Sequence, residues 1–264
     1  MIRGIDVAVY QAGLDWAAAR RAGVRFAIIK ATQDGGMVDG EFTDHLRAAR
    51  RAGIDVVGAY HFLISPRAKG GQKKSGAAQA EHFIRTVRAA NGGTLDGMLL
   101  ALDVENLPSR GSSPSLEDVR SFGRRFRQLA GEDRPLLLYT SPGKWGRFRG
   151  ARARDALGDR TYLWMADWRP RLLVSRGFGG LKPIIHQHGP SPIIRHRGRI
   201  VDGNTSSLSV TELRRYTRPI PKAEPAPAPV PVPEPQPPAG TAYRWVRPLP
   251  GAALRPQPTY DVAP

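Results

Sequence analysis

The sequence predicts an α/β fold in which parallel strands close into a TIM-like (β/α) barrel, followed by an extended proline-rich tail. Three observations predict it. Short apolar runs recur along the first two hundred or so residues, helix-like stretches separate many of them, and 15 of the 24 prolines fall in residues 219–264. Strand–helix alternation marks a parallel α/β architecture, and eight candidate strands are the number that closes such a barrel.

The elements follow in order. A first strand is expected at 2–7, ending close to Asp6, and a helix at 15–22. Gly23 stops that helix before a strand at 24–30, and Gly53 stops a second helix at 41–52 before a strand at 55–60. A helix at 76–90 leads to a strand at 98–104. Ser115 stands three residues before Asp118, a capping signal for a helix at 115–130. A strand at 135–140 and a helix at 142–157 follow, then strands at 161–166, 183–188 and 199–202 with little helix between them. These elements define a domain over 1–218. Residues 223–238 then alternate proline with alanine, valine and glutamate, so 219–240 reads as a polyproline-like linker that cannot pack a core. Residues 241–264 carry Tyr243-Arg244-Trp245-Val246 and Tyr260-Asp261-Val262. They read either as a loose terminus or as a docking peptide for a larger assembly.

Composition narrows the function. With 264 residues, 41% of them hydrophobic, the chain can bury one large core plus a tail. It has no cysteine, so neither disulfides nor thiol chemistry are available. No apolar run approaches the ~18 residues of a membrane helix, so no membrane insertion is expected. Met1 leads almost directly into a strand, with no secretory leader visible. The net charge of +17 comes from scattered Lys and Arg. Most of it reads as a solvated surface, and its functional reading is attraction to a polyanion. Bacterial wall polymers fit better than nucleic acid, because no helix pairs a basic stripe with base-reading aromatics.

The chemistry concentrates in Leu100-Ala101-Leu102-Asp103-Val104-Glu105. On a strand, residues i and i+2 share a face, so Asp103 and Glu105 point the same way with Cβ atoms ~7 Å apart. Two neighbouring carboxyls repel, and one pKa rises. Glycoside hydrolysis uses that inequality, one carboxyl as proton donor and another ionised. The plain alternative is a strand end with two solvated acids. Asp6 and Asp202 also end short apolar runs, and strand C-termini of a parallel barrel share one mouth.

Seven segments, in order, carry a family resemblance. They are Gly4-Ile5-Asp6-Val7-Ala8-Val9-Tyr10-Gln11, Phe26-Ala27-Ile28-Ile29-Lys30-Ala31-Thr32 and Val57-Gly58-Ala59-Tyr60-His61-Phe62, then the Asp103–Glu105 segment. Leu138-Tyr139-Thr140, Leu163-Trp164-Met165-Ala166-Asp167-Trp168 and Val201-Asp202-Gly203-Asn204 complete the set. Over about residues 1–218 the chain resembles glycoside hydrolase family 25, the Chalaropsis-type lysozymes, which include many phage endolysins. The resemblance implies a flattened, partly irregular barrel, with catalytic acids at Asp6, Asp103, Glu105 and Asp202 and Glu105 as general acid/base. It implies sugar contacts from Tyr60, Tyr139, Trp164, Asp167, Trp168, Gln187 and Gln33, of which Trp168 and Tyr60 are the foremost stacking candidates. His61, His186 and His188 become cleft wall rather than metal ligands, and no metal or cofactor is expected. Two departures stand out. Gln33 replaces a Glu, and Ile185-His186-Gln187-His188 replaces a Trp-Gln-Tyr segment, while all four acids are retained.

The implied activity is hydrolysis of the β-1,4 bond between N-acetylmuramic acid and N-acetylglucosamine in peptidoglycan. Without a visible leader, the expectation is a phage protein, either released to the wall through a holin-made hole or carried in the virion with tail proteins bound to 241–264. A non-enzymatic virion or wall-binding protein on a retired lysozyme scaffold is the alternative.

Overall fold

Period-two alternation along the strands builds the molecule. In a computed structural model that describes residues 1–106, 111–168, 178–194, 196–198 and 200–221, two apolar clusters divide the strand residues by parity. Phe26, Ile28, Val56, Leu99, Ala101, Leu137, Trp164 and Ile185 point into a barrel. Ile5, Ala27, Ile29, Val57, Leu100, Leu102, Leu138 and Leu163 point out, beneath the helices. Strands buried on both faces are apolar throughout, as the runs in the sequence predict.

The strands are β1 (Ile2–Val7), β2 (Val24–Gln33), β3 (Met37–Val38), β4 (Val56–Phe62), β5 (Met98–Asp103), β6 (Leu136–Thr140), β7 (Thr161–Ala166), β8 (Pro183–Pro190) and β9 (Asp202–Ser206). Eight of them close a ring in the order β1-β2-β4-β5-β6-β7-β8-β9, and β3 is a short hairpin arm on β2. Neighbours from β1 to β8 around the ring are parallel, whereas β9 is antiparallel to both β8 and β1. The eighth strand therefore differs from the expected 199–202. It begins at Asp202 and runs the other way. An antiparallel strand starts at the end where parallel neighbours finish, so Asp202 still reaches the common mouth. It lies opposite Asp6 in the β1–β9 register.

The helices are α1 (Trp16–Arg21), α2 (Phe42–Arg51), α3 (Gly76–Ala90), α4 (Leu116–Ala130), α5 (Pro142–Trp145), α6 (Ala153–Leu157) and α7 (Val210–Arg214). Gly23 and Gly53 take φ values of 95° and 76° just beyond α1 and α2. Ser115 and Asp118 form the expected reciprocal cap of α4. The single helix expected at 142–157 is instead α5 and α6. Between them Arg149 and Gly150 adopt φ values of 38° and 80°, which a continuous helix cannot contain. Leu213 of α7 joins the inner cluster near Ile2, Val56 and Tyr162, so α7 plugs the barrel at the strand N-termini. Gly4 leaves room for the Phe26 ring inside the barrel, since a Cβ at Gly4 would sit 2.4 Å from it.

From residue 222 onward, the expected linker at 219–240 and tail at 241–264 lie outside the described residues. Ile220 N still donates to Asp133 O at 2.9 Å. Among the described residues no helix is long and apolar enough to cross a membrane.

Candidate active site

At the mouth, the inward-facing parity changes from apolar to ionisable. A cavity of about 350 Å³ is lined by Asp6 of β1, Lys30 and Gln33 of β2, Tyr60 of β4, Asp103 of β5, Tyr139 of β6, Trp164 of β7, Gln187 of β8 and Asp202 of β9, with Glu105 just past β5. All four acids singled out in the sequence thus face one space. A neighbouring hollow of about 440 Å³ is lined by Lys144, Asp167 and Trp168, and it shares Glu105, Tyr139 and Gln187 with the first. The cleft has two lobes joined at Glu105, Tyr139 and Gln187.

A hydrogen-bond chain fixes Asp6. Its Oδ1 accepts from Asn204 Nδ2 at 2.6 Å and from Gln187 Nε2 at 3.0 Å. Asn204 in turn accepts from Trp164 Nε1 at 2.7 Å, and Gln187 Oε1 accepts from the Tyr139 hydroxyl at 2.9 Å and Trp168 Nε1 at 3.2 Å. Trp164 is 1% exposed and its ring meets Tyr60 and Tyr139 edge-on, so it builds the cavity floor. Trp168 is 60% exposed and offers an open ring. Gln33 Oε1 accepts from Lys30 Nζ at 2.6 Å on the opposite wall. Asp167 is buried, and its carbonyl accepts from His186 Nε2 at 2.6 Å.

Burial and mutual repulsion raise these acids. Asp6 is pushed up to about 7, chiefly by desolvation and then by Asp202, against the pull of the Asn204 and Gln187 bonds. Desolvation, helped by Glu105, lifts Asp103 well above the carboxylate range. Asp202 moves up for the same two reasons. Asp103 Oδ1 is buried without a hydrogen-bond partner among the described residues. Such carboxyls are costly to bury, and they gather where proton chemistry is done. Glu105 is more open, at 28% side-chain exposure, and forms an ion pair with Lys144.

Sequence reasoning missed Lys144 as a site residue and Asn204 as the second donor to Asp6. Asn204 lies 198 residues from Asp6, and only barrel closure joins them. Lys144 carried one signal, its place just after the C-terminus of a strand.

A barrel of seven parallel strands and one antiparallel strand that brings four carboxyls into one cleft carries the groups that glycoside hydrolysis uses. The chain belongs to the glycosyl hydrolases family 25, whose model matches residues 5–180. Asp202 lies beyond that match and is placed by its pairing with Asp6. The chain is 32% identical over 180 residues to Lysozyme M1 of Streptomyces globisporus, covering 63% of this chain and 55% of that protein. It thus spans little more than half of that relative's length. It is also 32% identical over 167 residues to the N,O-diacetylmuramidase of Chalaropsis sp, covering 56% of this chain and 70% of that one. The crystal structure of a bacterial lysozyme from Streptomyces coelicolor superposes with a TM-score of 0.68 at 27% identity, over 82% of this chain and 96% of that one.

Proposed function

We propose that the chain is a muramidase that hydrolyses the β-1,4 bond between N-acetylmuramic acid and N-acetylglucosamine in bacterial peptidoglycan. The observation that carries this reading is the position of Glu105 where the two lobes meet. A glycan strand lying through both lobes passes its glycosidic oxygen over that carboxyl. Glu105 donates its proton to the leaving oxygen as the anomeric C–O bond breaks, and takes one back from the water that completes hydrolysis. Asp103, whose carboxyl burial pushes well above the usual carboxylate range, is placed beside Glu105 to meet the 2-acetamido group of the sugar. Asp6 and Asp202 form the facing wall, where whichever of them is ionised counters the developing positive charge. The relatives named lysozyme and N,O-diacetylmuramidase support the substrate class.

The test is release of reducing ends from purified peptidoglycan by the wild-type chain and by Glu105→Gln. The expectation is clear release by wild type and a loss of about 10²–10⁴-fold or more in the variant, at an unchanged melting temperature. Wall binding without release by wild type would overturn the muramidase reading and favour the retired scaffold.

A further inference from the structure

Glu105 does not face the substrate space alone. Lys144 Nζ forms an ion pair with its Oε1, with both side chains about three-quarters buried at 25% and 28% exposure. The turn that carries Lys144 is tied at both ends by local bonds. Ser141 caps α5 by accepting from Lys144 N at 3.3 Å, and Pro142 occupies its first turn. Trp145, 1% exposed, anchors the turn through Nε1 to Ala151 O at 2.9 Å. The ammonium is therefore presented from a fixed point directly after β6.

The other ionisable groups turned toward Glu105 are Asp103 on β5, Asp6 on β1, Asp202 on β9 and the Tyr139 phenol on β6. Lys30 lines the far wall and hydrogen-bonds Gln33, and Asp167 lines the second lobe. Among the described residues, Glu105 is thus ringed by carboxyls and has one cation in contact. A general acid becomes an anion at the moment it gives up its proton. Among three further carboxyls, that anion requires a counter-charge that is already in place.

We propose that Lys144 is a positioning residue for Glu105, holding the carboxyl at the junction of the lobes and stabilising the anion left when its proton passes to the glycosidic oxygen. The destination of the proton rests on the muramidase reading, whereas the charge pairing does not. In the step itself the anomeric C–O bond breaks, the Glu105 proton goes to the leaving oxygen, and water supplies the hydroxyl to the anomeric carbon and a proton back to Glu105.

Two measurements on the full chain test it. In the first, the ¹³C carboxyl signal of Glu105, assigned by its absence in Glu105→Gln, is titrated in wild type, Lys144→Met and Lys144→Arg. Removal of the cation is expected to raise the midpoint, and Arg to restore it. In the second, the pH profile of peptidoglycan hydrolysis is recorded for the same proteins. In Lys144→Met, kcat is expected to fall about tenfold or more with KM little changed. The alkaline limb should move up with the midpoint. A midpoint equal in Met, Arg and wild type would overturn the proposal, as would a Met variant that loses KM rather than kcat. A moved midpoint in a chain that releases no sugar would uphold the pairing and overturn the muramidase reading alone.

Discussion

His61 and Asp103 are buried ionisable side chains on adjacent strands, and the barrel treats them in opposite ways. His61 on β4 was expected in the cleft wall, as were His186 and His188 on β8, but strand alternation turns all three away from the cleft, and His61 points outward beneath α3 and α4. Its Nδ1 meets Thr32 Oγ1 at 2.8 Å, its Nε2 donates to Gln79 Oε1 at 3.1 Å, and its ring stacks on Phe122 at 5.3 Å between centroids. Asp103 on β5 points inward, and one of its oxygens has no partner among the described residues. Burial pulls His61 down to about 3, so it is neutral and fully bonded. Burial lifts Asp103 as well, but little offsets the cost. A buried polar group whose partners are complete holds the fold together. One whose partners are incomplete, on the wall of an open cleft, leaves a bond for a substrate to make.

The largest expected effect separates the two directly. Asp103→Asn keeps the shape but cannot supply the same proton or charge, and is expected to cut kcat/KM about 10²-fold or more without lowering the melting temperature. His61→Ala leaves a cavity and takes the partner of Thr32 Oγ1, while Gln79 Oε1 keeps Ile64 N, and is expected to cost about 3 kcal/mol of stability with turnover per folded molecule retained. Turnover assays paired with denaturant unfolding check both. The contrast fails if Asp103→Asn unfolds the protein or His61→Ala abolishes turnover in the folded fraction.

The same contrast appears in stability against pH. His61 binds a proton less well folded, at about 3, than at its ordinary 6.5, so its stabilisation is present above 6.5 and is lost as pH falls toward 3. Asp6 binds a proton better folded, at about 7, than at its ordinary 3.8, so its contribution is present below 3.8 and is lost as pH rises toward 7. Asp103 and Asp202 shift in the same direction as Asp6. Between those limits the slopes oppose each other. Asp6→Asn is expected to tilt the unfolding free energy upward with rising pH relative to wild type, and His61→Phe to tilt it downward. Urea unfolding at a series of pH values reads the tilt, and parallel curves for the two variants would refute the opposition.

How legible this was in the sequence depended on how local the signal was. Apolar runs announced β1, β2 and β4 to β8, while the exposed two-residue β3 had no such run, and the i, i+2 spacing put Asp103 and Glu105 on one side. The capping pair Ser115 and Asp118 and the stops at Gly23 and Gly53 are also local. The direction of β9 was not legible. Asp-Gly-Asn-Thr-Ser has no apolar run, and a strand reads alike in both directions until its neighbours are known. The break at Arg149 and Gly150 had a local signal that the reading of one helix passed over, since Gly143, Gly146 and Gly150 all weaken a continuous helix over 142–157. Lys144 and Asn204 acquire their roles only from contacts 39 and 198 residues away.

Exposed charge offers a further contrast with the buried acids. The scattered cations behind the net +17 act through solvent and are screened by salt, whereas the carboxyls in the cleft are largely shielded from it. Lysis of whole walls, which are anionic, is expected to fall about tenfold between low and physiological ionic strength through slower association. Cleavage of a short neutral glycan should change little over the same range. Parallel turbidity and reducing-end assays check this, and equal salt dependence for both substrates would separate the charge from wall binding.

The smallest expected effect sharpens the comparison within the cleft itself. Trp164 lies on β7 and Trp168 two residues past its end, yet one is 1% exposed and the other 60%. Trp164 reaches Asp6 through Asn204, so shortening it to Phe removes a donor from that chain and should lower kcat. Trp168 touches the site through a 3.2 Å bond to Gln187, which also accepts from Tyr139, so Gln187 keeps a partner when Trp168 is lost. What disappears in Trp168→Ala is mainly an open aromatic face on the second lobe. Burying part of such a ring against a sugar is worth about 1 kcal/mol, a roughly fivefold rise in KM with kcat nearly unchanged. Steady-state kinetics on soluble muropeptide oligomers long enough to fill both lobes resolve the two. A fall in kcat from Trp168→Ala at constant KM would place that ring in the support of Asp6, beside Trp164, rather than in the binding of the glycan.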